Sequence, residues 1–257
     1  MSVRALSFGA VAQAYEKFRP GYPDELFSLV ADYASGPPPT ALSTALEIGA
    51  GTGKATRLFA GHGVAVTATD PDEAMLAELR KHVTVPTRQA AFEQLEPGAP
   101  VDLVYAAAAL HWTVAEGRWP RVAALLKPGG VFAAFGSPLD LSDEAVAEDM
   151  RQAQAPFLES AGFPSPDGTP PEAEMQWPGT ELLASELFTD VQQHVIERRL
   201  TMTARDYVSH LSTVSAYLGL PVEQQEEVYR RIEQVLPPTV ELTADLFVHL
   251  ARRTVTA

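Results

Sequence analysis

Three glycines fall at alternate positions in Glu47-Ile48-Gly49-Ala50-Gly51-Thr52-Gly53, after the apolar pair Ala45-Leu46 and before a helical pattern opening at Lys54. A residue without Cβ takes positive φ freely and lets a ligand touch the main chain. The unpaired N–H groups that open the next helix favour a negative group, so such a loop can seat a phosphate or a carboxylate. A dinucleotide fingerprint needs its third glycine one place later, where Lys54 stands, and Gly53-Lys54-Ala55 lacks the hydroxyl residue of a P-loop. Asp70 follows Gly51 by 19 residues, the place in a βαβ unit where an acid accepts hydrogen bonds from ribose hydroxyls. Its rival use, capping the helix that starts near Pro71, can fall to Asp72. His111 is a third group able to do chemistry: an unperturbed imidazole, with a pKa of about 6.5, is neutral at cell pH and can take a proton. It can equally pack beside Trp112 and line a pocket.

These groups need a scaffold. Short apolar runs at 45–48, 64–69, 85–90, 102–108 and 131–135 alternate with helical patterns at 54–61, from Pro71 onward, and at 119–126, which predicts βα units in an open, mostly parallel sheet. Ligands in such sheets bind at the carboxyl ends of the strands, where the glycine loop, Asp70 and His111 all fall. Upstream, helices are expected over 10–18 and 24–34, separated by Arg19-Pro20-Gly21-Tyr22-Pro23, which cannot continue a helix. Downstream, 138–188 is rich in proline, glycine and acids and reads as a lid or insertion carrying Trp177. A sixth strand is expected over 191–200, a helix over 207–218 behind a capping-box-like Thr203-x-x-Asp206, a helix over 222–236 and a last strand over 242–252. Tyr207, His210 and Tyr217 share helical spacing with apolar neighbours, so that helix could roof a substrate pocket.

The Glu-x-Gly-x-Gly-x-Gly spacing, Asp70, the Asp102-Leu103-Val104 strand with its Leu110-His111-Trp112 exit, and the Leu126-Lys127-Pro128-Gly129-Gly130 turn stand in register over residues 40–137. Together they resemble class I S-adenosylmethionine-dependent methyltransferases. Tyr15-x-x-x-Arg19-Pro20-x-Tyr22-Pro23 is similar to the N-terminal cap of the small-molecule branch related to trans-aconitate methyltransferase. The resemblance implies an α/β, Rossmann-like, seven-stranded, mostly parallel sheet with an antiparallel edge hairpin, helices on both faces, a helical cap and an inserted lid. It also implies four segments: a cap over 1–38, a donor-binding core over 39–137, a lid over 138–188, and 189–257 completing the core domain. S-adenosylmethionine would then be held by Glu47, Gly49, Ala50, Gly51 and Gly53, with Asp70 on the ribose, Pro71 and Met75 near the adenine, and Tyr15 and Arg19 over its amino-acid end. Many relatives place an aspartate after the third strand to accept the adenine amino group. Ala91 stands there instead, so that contact is assigned to the Phe92 backbone and the Glu93 side chain. Tyr22, Trp112, Tyr207, His210 and Tyr217 are assigned to the substrate pocket, with His111 as candidate base.

Composition narrows the class. The chain has 257 residues, with 33 acids against 19 bases for a net charge of −14, and no cysteine. An acidic surface repels phosphate backbones, so a small-molecule substrate is expected and a nucleic acid is not. Without cysteine there is no disulfide and no thiolate zinc site, and the histidines lack metal-ligand spacing, so no metal is expected. No apolar run reaches the roughly 18 residues of a membrane span, and Met1-Ser2-Val3-Arg4 carries no secretory signature, which suggests the cytoplasm. The rival readings are a non-catalytic adenosyl-binding accessory protein and, less favoured by Lys54 and the Lys-Pro-Gly-Gly turn, a nicotinamide-dependent oxidoreductase. The acceptor's identity, the atom methylated and the oligomeric state are not written in the sequence.

Overall fold

The computed structural model describes residues 7–96, 98–158 and 165–255; Met1-Ser2-Val3-Arg4 and Pro164 lie outside them. The strands are β1 (Thr44–Ile48), β2 (Ala65–Asp70), β3 (Thr87–Gln89), β4 (Val101–Ala107), β5 (Leu126–Gly136), β6 (Asp140–Leu141), β7 (Phe188–Ile196), β8 (Arg199–Thr203), β9 (Thr239–Thr243) and β10 (Leu246–Arg253). The α-helices are α1 (Ala12–Phe18), α2 (Asp24–Ser35), α3 (Lys54–Gly61), α4 (Glu73–Leu79), α5 (Arg118–Leu125), α6 (Glu144–Gln154), α7 (Gly179–Leu183), α8 (Ala204–Leu211), α9 (Ser215–Leu218) and α10 (Val222–Val235).

Seven strands form one sheet in the order β3-β2-β1-β4-β5-β10-β7; β1 to β5 run parallel, and β10 is antiparallel to both β5 and β7. β4 is buried along almost its whole length, as its nearly unbroken apolar run requires of a strand covered on both faces. One face packs Leu26 and Val30 of α2 and Phe59 of α3 against Tyr105 and Leu250. The other packs Trp119 and Val122 of α5 and Leu182 of α7 against Leu46, Val104 and Phe132. Each of these fully buried side chains contributes about 1.5–3 kcal/mol relative to exposure. At the far end from the glycine loop, Asp102 accepts from the Thr44 hydroxyl (2.8 Å) and Lys127 (2.6 Å), tying the Lys-Pro-Gly-Gly turn to β4.

A second, three-stranded sheet, β6-β9-β8, was not legible in the chain. It packs with α6, α8 and α10 around Tyr207, Val228, Ile232 and Leu242 into a separate apolar layer above the cleft. The single strand expected over 191–200 is therefore two, β7 and β8, and that over 242–252 is also two, β9 and β10. The cause is local. The Arg198 amide donates to Asp245 (2.9 Å) and the Ala244 amide to the Arg198 carbonyl (2.9 Å), so both chains turn at one level and pass from one sheet to the other. The helix expected over 207–218 breaks into α8 and α9 because the Thr213 hydroxyl donates back to the His210 carbonyl (2.7 Å), which competes with the helical ladder. β3 is shorter than the expected 85–90, and residues 127–130 lie within β5 rather than in a separate turn before it.

Candidate active site

The sheet order reverses between β1 and β4, and open α/β sheets bind ligands in the crevice at such a point. Ile48, Asp70 and Ala107 end β1, β2 and β4 at the rim of one cleft of about 1940 Å³, room for two small ligands side by side. The Ala50 amide donates to the Thr69 carbonyl (2.8 Å) and pins the glycine loop to β2. Gly49, Gly51 and Gly53 all have positive φ, but they differ in use. A Cβ on Gly53 would stand 2.6 Å from the Leu79 side chain, and Gly53 lines neither of the cavities described here, so its smallness serves packing on α4.

Asp70 is buried and held from two sides. One carboxylate oxygen accepts the Gly51 amide (2.9 Å) and the other the Asp72 amide (2.8 Å). Burial raises its pKa to about 6, against the lowering effect of those two N–H donors. Each oxygen has a second lone pair, and Asp70 lines the cleft, so the carboxylate can accept two more donors there. Asp72 caps α4 by accepting the Ala74 amide (2.8 Å), which leaves Asp70 free of that duty.

Beneath the loop lies a smaller cavity lined by Tyr15, Arg19, Tyr22, Glu47, Gly49 and Lys54. Glu47 is wholly buried. One oxygen accepts the Thr56 hydroxyl (2.5 Å) and the Tyr105 hydroxyl (2.9 Å), while Oε1 has no partner. Desolvation dominates and raises its pKa to about 8. A buried, half-satisfied acid is costly in itself and needs an incoming N–H donor or a proton.

Helix α1 covers this cavity and is fastened at its C-terminal end from two sides. Lys54 donates to the Glu16 carbonyl (2.7 Å) and Arg57 to the Glu16 carboxylate (2.8 Å). Arg19 donates through Nε to the Thr213 hydroxyl (2.8 Å) and through Nη2 to the Thr213 carbonyl (2.9 Å), with its guanidinium 5.0 Å from the Tyr15 ring centre. Arg19 lines both cavities, yet two of its donors are spent on the cap of α8. Tyr22 packs edge-on to Phe135 (5.1 Å), and burial pushes its hydroxyl above the usual tyrosine range. It faces the inner cavity with Glu47 rather than the outer, acceptor side.

Pro71, Met75, Phe92 and Glu93 line one wall of the cleft, and Glu93 accepts the Val114 amide (2.6 Å). His111 and Trp112 also line the cleft, with ring centres 4.8 Å apart, and Phe8 packs edge-on to both Trp112 and Tyr15. His111 has a substantially exposed surface, but its walls desolvate it and lower its pKa to about 4. Tyr207, His210 and Tyr217 roof the far end. Ala50 lines only the inner cavity. Sequence reading missed Thr56 and Tyr105, the partners of Glu47, because a hydroxyl on a helix or strand looks like any core residue. It also missed Gln154 and His249, which the fold brings into the cleft from α6 and β10. Only contacts between distant segments mark them.

Comparison with known proteins agrees with this geometry. Residues 45–130 match a family model described as a methyltransferase domain. An uncharacterized methyltransferase of Mycobacterium tuberculosis strain H37Rv is 30% identical over 234 residues, covering 90% of this chain and 86% of the relative. A trans-aconitate 2-methyltransferase of Paracidovorax citrulli is 36% identical, over only 49% of this chain and 50% of its own. The fold is shared with a protein assigned as a type II methyltransferase from Anaeromyxobacter dehalogenans (TM-score 0.63, 24% identity, 93% of this chain and 100% of that one). It is also shared with a phosphoethanolamine N-methyltransferase of Haemonchus contortus solved with S-adenosylhomocysteine (TM-score 0.52, 16% identity, 96% of this chain and 57% of that one). With the glycine loop and Asp70 meeting at the reversal point of a seven-stranded sheet, and with a relative similar along nearly its whole length, the chain belongs to the class I S-adenosylmethionine-dependent methyltransferases.

Proposed function

We propose that the protein transfers a methyl group from S-adenosylmethionine to a small-molecule acceptor by in-line displacement. The observation that carries this reading is Asp70: a buried carboxylate, oriented by the Gly51 and Asp72 amides, with lone pairs left toward the cleft beside the glycine loop. Those residues fit the donor. Asp70 would accept both ribose hydroxyls, Met75 and Phe92 would wall the adenine, and the partnerless oxygen of Glu47 in the inner cavity suits an ammonium group.

The sulfonium supplies a methyl group that already carries its leaving group, so the protein's part is positioning and exclusion of water. Alignment of two reactants contributes up to about 7–11 kcal/mol. Helix α1, fastened to α3 and to Thr213, closes the donor side, and the α8–α9 roof closes the acceptor side. The cleft walls hold His111 below the usual imidazole range, so it is neutral at cell pH and can hold an acceptor proton by hydrogen bonding. An imidazole that weakly basic is a poor general base at neutral pH, because proton transfer is most effective with a pKa near the working pH. Positioning by His111 is therefore favoured over proton abstraction. The test is release of S-adenosylhomocysteine from S-adenosylmethionine in the presence of candidate acceptors. If His111→Ala leaves turnover intact with donor affinity unchanged, His111 does not take the proton; a loss confined to KM assigns it to acceptor positioning.

A further inference from the structure

We infer that the acceptor is an uncharged, largely apolar molecule bearing a hydroxyl or amide group, read by Gln154, Tyr207 and His210 beneath the roof of the cleft. This rests on the methyltransferase reading and names the class of its substrate. The far end of the cleft is apolar, with Met150, Leu211, Val214 and the Tyr217 ring on its walls. Three polar groups stand within it. His210 is 4% exposed and its Nδ1 has no partner, so the neutral ring offers an acceptor to whatever fills the space. Gln154 is 5% exposed and accepts the Tyr217 hydroxyl (2.6 Å) at its amide oxygen, which leaves the amide nitrogen with donors for another acceptor. The Tyr207 hydroxyl donates only to the Met150 sulfur (3.6 Å), a weak acceptor that a ligand oxygen would displace. An apolar pocket with a few convergent donors and acceptors selects neutral polar ligands.

The charges point the same way. Of the two arginines that line the cleft among the described residues, Arg151 is paired with the Glu144 (2.6 Å) and Glu148 (2.8 Å) carboxylates, while Arg19 gives two donors to Thr213 and keeps its charge beside the inner cavity. Burial lowers His249 to about 4 and His210 to about 3, and His111 also lies below the usual imidazole range, so none is a cation at neutral pH. Asp70 and Asp140, which no cation pairs among the described residues, also face the cleft. A polycarboxylate would enter against these acids, and the lining arginines with no carboxylate partner among the described residues, Arg19 and Arg198, face the inner cavity that would hold the donor's amino-acid end. The likeness to trans-aconitate methyltransferases, limited to about half of each chain, does not extend to such a ligand.

The experiment uses the full chain saturated with S-adenosylhomocysteine. Calorimetry then measures binding of three neutral probes (2-naphthol, 4-hydroxybenzamide and methyl 4-hydroxybenzoate) and two anionic ones (citrate and trans-aconitate) to the wild type, His210→Phe and Gln154→Leu. Binding of at least one neutral probe, weakened about tenfold in each variant as loss of one hydrogen bond predicts, with no binding of the tricarboxylates, supports the inference. Tricarboxylate binding, no neutral binding, or neutral binding unmoved by both variants overturns it. S-adenosylhomocysteine affinity within twofold of wild type shows that each variant is folded. If the wild type itself does not bind S-adenosylhomocysteine, the methyltransferase reading fails instead.

Discussion

Replacing Glu47 by Gln should stabilise the empty protein and weaken its hold on the donor. The wild-type carboxyl has a pKa of about 8 in the fold against 4.5 when unfolded. A folded pKa above the unfolded one means that the folded state binds the proton more tightly. Stability from this group is then complete below pH 4.5 and is lost as pH rises through 8. At about 1.36 kcal/mol per unit, the loss has reached about 3 kcal/mol by pH 7 and about 5 kcal/mol above pH 8. Gln cannot ionise, and its amide oxygen can still accept the Thr56 and Tyr105 hydroxyls, so the variant should escape this loss. An amide nitrogen in place of Oε1 would, however, oppose an ammonium group, and donor affinity should fall about tenfold. Urea unfolding from pH 5 to 9 measures the first effect, and calorimetry with S-adenosylhomocysteine the second. A variant with the same pH slope as wild type, or less stable at pH 8, would show that Glu47 is ionised in the empty site and refute the argument.

The lining histidines predict the opposite slope. His210 and His249 titrate below the usual 6.5 because burial disfavours the cation, so their contribution is intact above pH 6.5 and is lost as pH falls toward 4 and 3. In a Glu47→Gln background, where Asp70, raised to about 6, still acts against the histidines, His210→Phe should be less destabilised than its parent as pH falls below 6.5, read from urea midpoints. Arg19→Ala deletes both bonds from α1 to Thr213 and should raise the S-adenosylhomocysteine Kd about tenfold, mainly through faster dissociation seen in stopped-flow. Gly53→Ala puts a Cβ 2.6 Å from Leu79 at a φ of +84°, so thermal unfolding should show about 2 kcal/mol or more of lost stability.

The donor half of the site was readable because its residues are adjacent in the chain and each type has one physical reason to be there. Glycines at alternate positions, an acid at the end of the next strand and a strand with no polar interruption leave little choice of fold. The acceptor half was legible only in fragments. Tyr207, His210 and Tyr217 showed helical spacing, but the break at Thr213 depends on a side chain bonding the main chain and on Arg19 from almost the opposite end of the sequence. The switch of β7–β8 and β9–β10 between two sheets turns on Asp245 meeting Arg198, and no periodicity within either segment records that pairing. Gln154 sits on an amphipathic helix whose buried side, read alone, could face any core. The roof is thus built from contacts of high sequence separation, which a pass along the chain does not see.

The central claim is that the loop from Glu47 to Gly53 and the Asp70 carboxylate together hold an adenosyl ligand. Titration of the wild type and Asp70→Asn with S-adenosylhomocysteine, beside a titration with NAD, addresses it most directly. One-to-one binding of S-adenosylhomocysteine to the wild type, no saturation by NAD, and a loss of about 100-fold in the variant are predicted, since each hydrogen bond to a charged group is worth about 1.5–3 kcal/mol. Saturation by NAD with no response to S-adenosylhomocysteine, or equal affinity in wild type and variant, would contradict it.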